Sequence, residues 1–117
     1  MAQFEVDGSV LKKCKLDRGE KEVVIPDGVT KIAEAAFKGG AKIVKITFPE
    51  SLTEIGDQAF WKCSSLETCI IPDGVVLIGS YAFGKCTSLK EIKLPENNTQ
   101  VLSKAFCQCT GLTSVYI

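Results

Sequence analysis

The chain has 117 residues, 45% of them apolar, and its Lys+Arg and Asp+Glu counts balance at 14 each. That length holds one domain rather than two, and so much apolar surface excludes a disordered chain. Balanced charge removes any general attraction to nucleic acid or anionic membrane, and no apolar run approaches the roughly 18 residues of a membrane span.

The first 22 residues stand apart from the rest. MAQFEVDGSV has no basic region followed by an apolar stretch, so no secretory signal is read here. With six cysteines and no signal, the sequence points to a reducing, cytoplasmic setting with free thiols. Asp7-Gly8 lies between Phe4/Val6 and Val10/Leu11, the mark of a hairpin. A second turn at Asp17-Arg18-Gly19-Glu20 leads into Val23-Val24-Ile25. Residues 1–22 are predicted to be a hairpin that caps the first coil of a repeat array.

From residue 23 the chain repeats. Its only four prolines, Pro26, Pro49, Pro72 and Pro95, are spaced 23 apart. Phe37, Phe60, Phe83 and Phe106 keep the same spacing, each preceded by alanine. Leu66, Leu89 and Leu112 align with Ile43, and Cys63, Cys86 and Cys109 align with Gly40. The units are residues 23–45, 46–68, 69–91 and 92–114, with 115–117 opening another. Within a unit, Leu66, Cys69 and Ile71 end in strand-like alternation. Proline stops the strand, and Asp73-Gly74 is turn chemistry. Val75 and Ile78 re-enter the core, and Ala82-Phe83 is predicted to sit on one helical turn. Such a unit is too short to bury its own apolar side, and stacked neighbours bury it. The fold class predicted is an α/β repeat solenoid.

The two middle units, ITFPESLTEIGDQAFWKCSSLET and CIIPDGVVLIGSYAFGKCTSLKE, resemble the leucine-rich repeats of the BspA-like, treponemal type. The first unit replaces the cysteine with Gly40, and the fourth has Asn98 where Val29, Leu52 and Val75 stand. The resemblance covers about residues 21–117. It implies a right-handed coil with a parallel sheet on one side and short helical turns on the other. It also implies a surface adhesion or interaction role, and so allows a secreted or cell-surface protein.

Candidate sites arise from the columns that the period creates. The cysteine column invites a disulfide or a metal. Side chains in one column point the same way, however, and a disulfide needs Cβ atoms about 3.8 Å apart. Zinc needs four ligands, and only the Cys107-Gln108-Cys109 pair stands near Cys86. A ladder of buried thiols is therefore predicted, with Cys69 also inward and Cys107 exposed. Asp27, Glu50, Asp73 and Glu96 form a carboxylate column, but calcium wants converging oxygens and these turns point outward. Without histidine no Ser-His-Asp or Cys-His arrangement exists. No catalytic, metal or cofactor site is predicted.

The outward strand column remains: Val24, Thr47, Ile70, Lys93 and Tyr116. It is flanked by Lys45, Thr68, Glu91 and Ser114, and by Val44, Glu67, Lys90 and Thr113. Apolar and aromatic residues among charges of both signs suit a protein-binding patch. Trp61 is a second anchor, unless it lies flat over the coil edge. Phe106, Leu112, Val115 and Ile117 should leave the last coil open, either as one end of a longer array or as the contact of a homodimer.

Overall fold

The computed structural model describes residues 2–96 and 99–116; Asn98 and Ile117, singled out above, lie outside that set. Among the described residues there are eleven short strands and no helix, hence no helix long and apolar enough to cross a membrane. The chain opens with a hairpin, β1 (Gln3–Asp7) and β2 (Val10–Lys15), antiparallel across the Asp7-Gly8 turn, where Gly8 takes a φ of 61° that favours glycine. After the hairpin come β3 (Glu22–Val24), β4 (Lys31–Ile32), β5 (Lys45–Thr47), β6 (Glu54–Ile55), β7 (Thr68–Ile70), β8 (Leu77–Ile78), β9 (Glu91–Lys93), β10 (Gln100–Val101) and β11 (Ser114–Tyr116).

Each repeat makes one turn of a parallel β-solenoid with three walls. The first wall is the five-stranded sheet β3-β5-β7-β9-β11. The equal period keeps equivalent residues side by side: Lys45 faces Thr68, and Thr68 faces Glu91. In three-residue strands only the middle side chain can turn inward, and Val23, Ile46, Cys69 and Ile92 are the buried ones. At the corner after this sheet, the N–H of Val29, Leu52 and Val75 bonds back to the carbonyl of Pro26, Pro49 and Pro72. Proline sets φ there and ends the strand.

The second wall was not expected. The two-residue strands β4, β6, β8 and β10 form a second parallel sheet, which the hairpin starts, in the order β1-β2-β4-β6-β8-β10. Leu11 of β2 is fully buried beside Ile32, and Ile55 and Ile78 continue that inward column. The hairpin thus covers the open side of this sheet, while β3 starts the other one uncovered.

The third wall corrects the expectation of helical turns, and with it the α/β class. Its N–H groups alternate between two partners. Ala36, Lys38 and Gly40 bond within their own coil to the carbonyls of Ala33, Ala35 and Phe37. Ala35, Phe37 and Gly39 bond to the next coil at Asp57, Ala59 and Trp61, at 2.7–3.0 Å. Gln58, Phe60 and Lys62 repeat this toward Ser80, Ala82 and Gly84. Two residues per coil take positive φ, as at Gln58 (56°) and Lys62 (62°), or at Tyr81 (57°) and Lys85 (56°). A right-handed helix cannot run through such positions, and hydrogen bonds to the neighbouring coil replace the helical ones.

The interior is apolar throughout. Phe37, Phe60, Phe83 and Phe106 stack ring on ring, with centroids 4.9, 5.1 and 5.3 Å apart. Phe48 meets Phe60 edge-on at 5.7 Å. Coils pack so closely along the second wall that a Cβ at Gly79 would lie 2.5 Å from the Asp57 backbone nitrogen, and one at Gly56 would lie 2.7 Å from the Ile32 oxygen. Glycine after the inward isoleucine is therefore a packing requirement of the two middle coils.

Candidate functional site

The first wall presents its strand termini to solvent. Val24 and Ile70 are each 67% exposed, in a column with exposed Thr47 and Lys93. Val24 pairs with Thr47, Ile70 with Lys93, and Lys93 with Tyr116, whose side chain lies outside what is described. Nothing in the core needs an apolar side chain at these outward positions. The flanking column of Lys45, Thr68, Glu91 and Ser114 begins one coil earlier than expected, at Glu22 opposite Lys45. A shallow depression crosses the face between the second and third coils. Lys45, Thr47, Glu50, Thr68, Ile70 and Pro72 are among the residues that line it.

Trp61 is not part of this face. It sits on the third wall, half-buried, and lies across Gly84 of the next coil, where a Cβ would run into its ring. Tyr81 meets it edge-on at 5.4 Å, and the Lys85 Nζ sits 5.5 Å from its ring centre. The Cζ3–Cε3 edge of its ring is what faces Gly84. A Trp–Gly pair one period apart was the sequence signal for it.

The cysteine column serves packing. The Cys63, Cys86 and Cys109 thiols donate to the carbonyls of Phe37, Phe60 and Phe83 in the preceding coil, at 3.3, 3.2 and 3.0 Å. All six cysteines are free thiols, and among the described residues no group of His, Cys, Asp or Glu could hold a metal ion. Burial pushes the Cys63 thiol up to about 12, partly offset by the Gly40 backbone. Burial, with Cys63 nearby, drives Cys69 higher still. In the Cys86–Cys109 pair, the neighbouring Cys109 thiol, with burial added, raises Cys86, and the Cys86 thiol lowers Cys109. Cys107, expected on the surface, is half-buried, and its carbonyl accepts from the Lys85 N–H at 2.8 Å. The Asp27, Glu50, Asp73 and Glu96 carboxylates sit exposed at the proline corner.

Residues 7–117 match the sequence pattern of the BspA-type leucine-rich repeat region, in six copies. The chain belongs to the BspA-type leucine-rich repeat family. The six copies take in β2, whose Leu11 occupies the inward column of the second sheet. Solved structures agree with this membership. The leucine-rich repeat protein of T. pallidum superposes with a TM-score of 0.72 at 27% identity, over 97% of this chain and 67% of that one. One from Bacteroides ovatus gives 0.69 at 27% identity, over 100% and 39%. A leucine-rich cell surface protein from Faecalibacterium prausnitzii gives 0.65 at 27% identity, over 92% and 34%. This BspA-type chain thus spans about two thirds of the first and little more than a third of the other two. No curated protein matches it significantly.

Proposed function

We propose that this BspA-type solenoid is a non-enzymatic scaffold that binds a protein through the outward column of the first wall. Val24, Thr47, Ile70 and Lys93 make that surface, and Tyr116 continues the same column by its pairing with Lys93. The observation that carries the reading is the 67% exposure of both Val24 and Ile70 on a regular sheet, where burial against a partner is the gain available to an apolar side chain. The mixed charges around them would give the contact its orientation. The F. prausnitzii relative is called a cell surface protein, which favours an adhesion module within a longer array as the biological setting. In the test, the double variant Val24→Ala/Ile70→Ala should keep the melting temperature and lose a partner that the unmodified chain retains. Equal recovery of that partner by both would sink the reading.

A second reading rests on the last coil. Phe106 and Leu112 are only partly buried and Val115 is 53% exposed, whereas Phe60, Phe83, Leu66 and Leu89 in the middle coils are 0% exposed. Another coil, or a second copy meeting this one end to end, would cover them. Light scattering at tens of micromolar should give a dimer mass if the second copy does so, and a clean monomer would end that version.

A further inference from the structure

We propose that the third wall is a second binding face, separate from the sheet surface, and that it holds a linear acidic oligosaccharide. Charge is unevenly placed in this neutral chain. The wall segments (33–42, 56–65, 79–88 and 102–111) carry five lysines, Lys38, Lys42, Lys62, Lys85 and Lys104, against only Glu34 and Asp57. One oxygen of Asp57 is occupied by the Ser80 N–H at 2.8 Å. The compensating carboxylates of Asp27, Glu50, Asp73 and Glu96 stand at the proline corner instead. Lys62 and Lys85 share one position in successive coils, Lys38 stands one residue before it in the first coil and Lys104 four residues before it in the last, so each coil contributes a cation to this wall.

Two of these ammonium groups are held in place. Lys85 Nζ lies 5.5 Å from the centre of the Trp61 ring, and Lys104 Nζ lies 5.9 Å from that of Tyr81. The rings meet edge-on at 5.4 Å, and both stay partly exposed. Cation–π contact fixes each ammonium beside an aromatic surface. The absence of a side chain at Gly84 leaves room for the edge of the Trp61 ring. The result is a short strip in which an ammonium group sits over each of two partly exposed rings.

The strip suits a charged sugar better than an acidic peptide. Coils repeat at about 4.8 Å, close to the length of one pyranose ring, and each hexuronate residue brings one carboxylate and one apolar C–H face. An extended peptide places same-side carboxylates two residues apart, roughly 6.7 Å, out of step with the coils, and offers the rings nothing to stack on.

Trp61 is the only tryptophan, so its emission reports on the strip directly. Titrating the full chain with hexagalacturonate at low salt should give heat in calorimetry and a saturable change in emission. Neutral maltohexaose and hexaglutamate should give neither. Lys85→Gln/Lys104→Gln should weaken binding about tenfold with an unchanged melt, and Val24→Ala/Ile70→Ala should bind the sugar as the unmodified chain does. Absence of both heat and emission change with hexagalacturonate overturns the proposal. So does equal binding of hexaglutamate, which would make the wall a general cationic surface, or full affinity in the lysine variant.

Discussion

Replacing Phe60 by alanine should remove about 3–5 kcal/mol of unfolding free energy. Phe60 is 0% exposed and touches aromatic rings on three sides: Phe37 at 4.9 Å, Phe83 at 5.1 Å and Phe48 edge-on at 5.7 Å. Its loss deletes transfer energy and leaves a cavity that neighbours cannot collapse into, since coil spacing is held by hydrogen bonds on all three walls. A solenoid coil contacts only the coils above and below, so a void in the second coil cuts the ring stack in two. Against a typical total of about 5–15 kcal/mol, the melting midpoint should fall by roughly 10 °C or more. Phe106→Ala is the internal comparison. That ring is only partly buried and has one stacking neighbour, so its cost should be smaller. A drop of a degree or two for Phe60→Ala would show that the stack does not hold the coils together.

Raising the pH above 9 should destabilise the protein by about 3 kcal/mol through two buried thiols. Cys63 is held up at about 12 by burial, against an ordinary thiol value of 9.0, and Cys69 is driven higher by the same cause. Both are within 3% of complete burial. The folded state keeps its proton where the unfolded chain gives it up. Stability from each thiol is therefore whole below pH 9 and declines as pH rises toward the folded value. At pH 10 each should have forfeited about 1.4 kcal/mol, or about 3 kcal/mol for the pair. Thermal melts under reductant between pH 7.5 and 10.5 would read this as a steep fall. Cys63→Ser keeps a donor for the Phe37 carbonyl, and Cys69→Val suits a column that already holds Val23, Ile46 and Ile92. The double variant should flatten the fall by about that amount. An unchanged slope would assign it to other groups, such as the Cys14 and Cys86 thiols.

Several features of this fold are plain in the chain. Proline, phenylalanine and leucine at one spacing define the coil, and the alternation around Cys69 and Ile92 separates the inward from the outward column of the first wall. Asp7-Gly8 marks the hairpin. The second sheet left no such trace, because a two-residue strand such as Lys31–Ile32 is too short for alternation to register. The third wall misled for a physical reason. Ala-Phe-x-x-Cys carries helix-compatible spacing, and only the first copy has glycine at a left-handed position, Gly39. Elsewhere Lys62, Lys85 and Gln108 adopt that conformation, because the neighbouring coil supplies hydrogen bonds that no local window contains. On the candidate surface, Val24 and Ile70 could be placed by alternation alone. The position of Trp61 depended on Gly84, a residue in another coil.

Over residues 35–39, 58–62 and 81–85 of the third wall, the backbone hydrogen bonds between coils run one way, from N–H in one coil to C=O in the next. The wall is thus vectorial, with acceptors facing the hairpin end and donors facing the other. By the same geometry, the N–H groups of Lys104, Phe106 and Gln108 point out of the last coil. Two copies joined through like ends would set donors against donors along this wall. A coil arriving with its carbonyl side first would complete the pattern. Growth of such an array therefore has a direction built into its backbone, and a symmetric end-to-end pair would have to form through the two sheets alone.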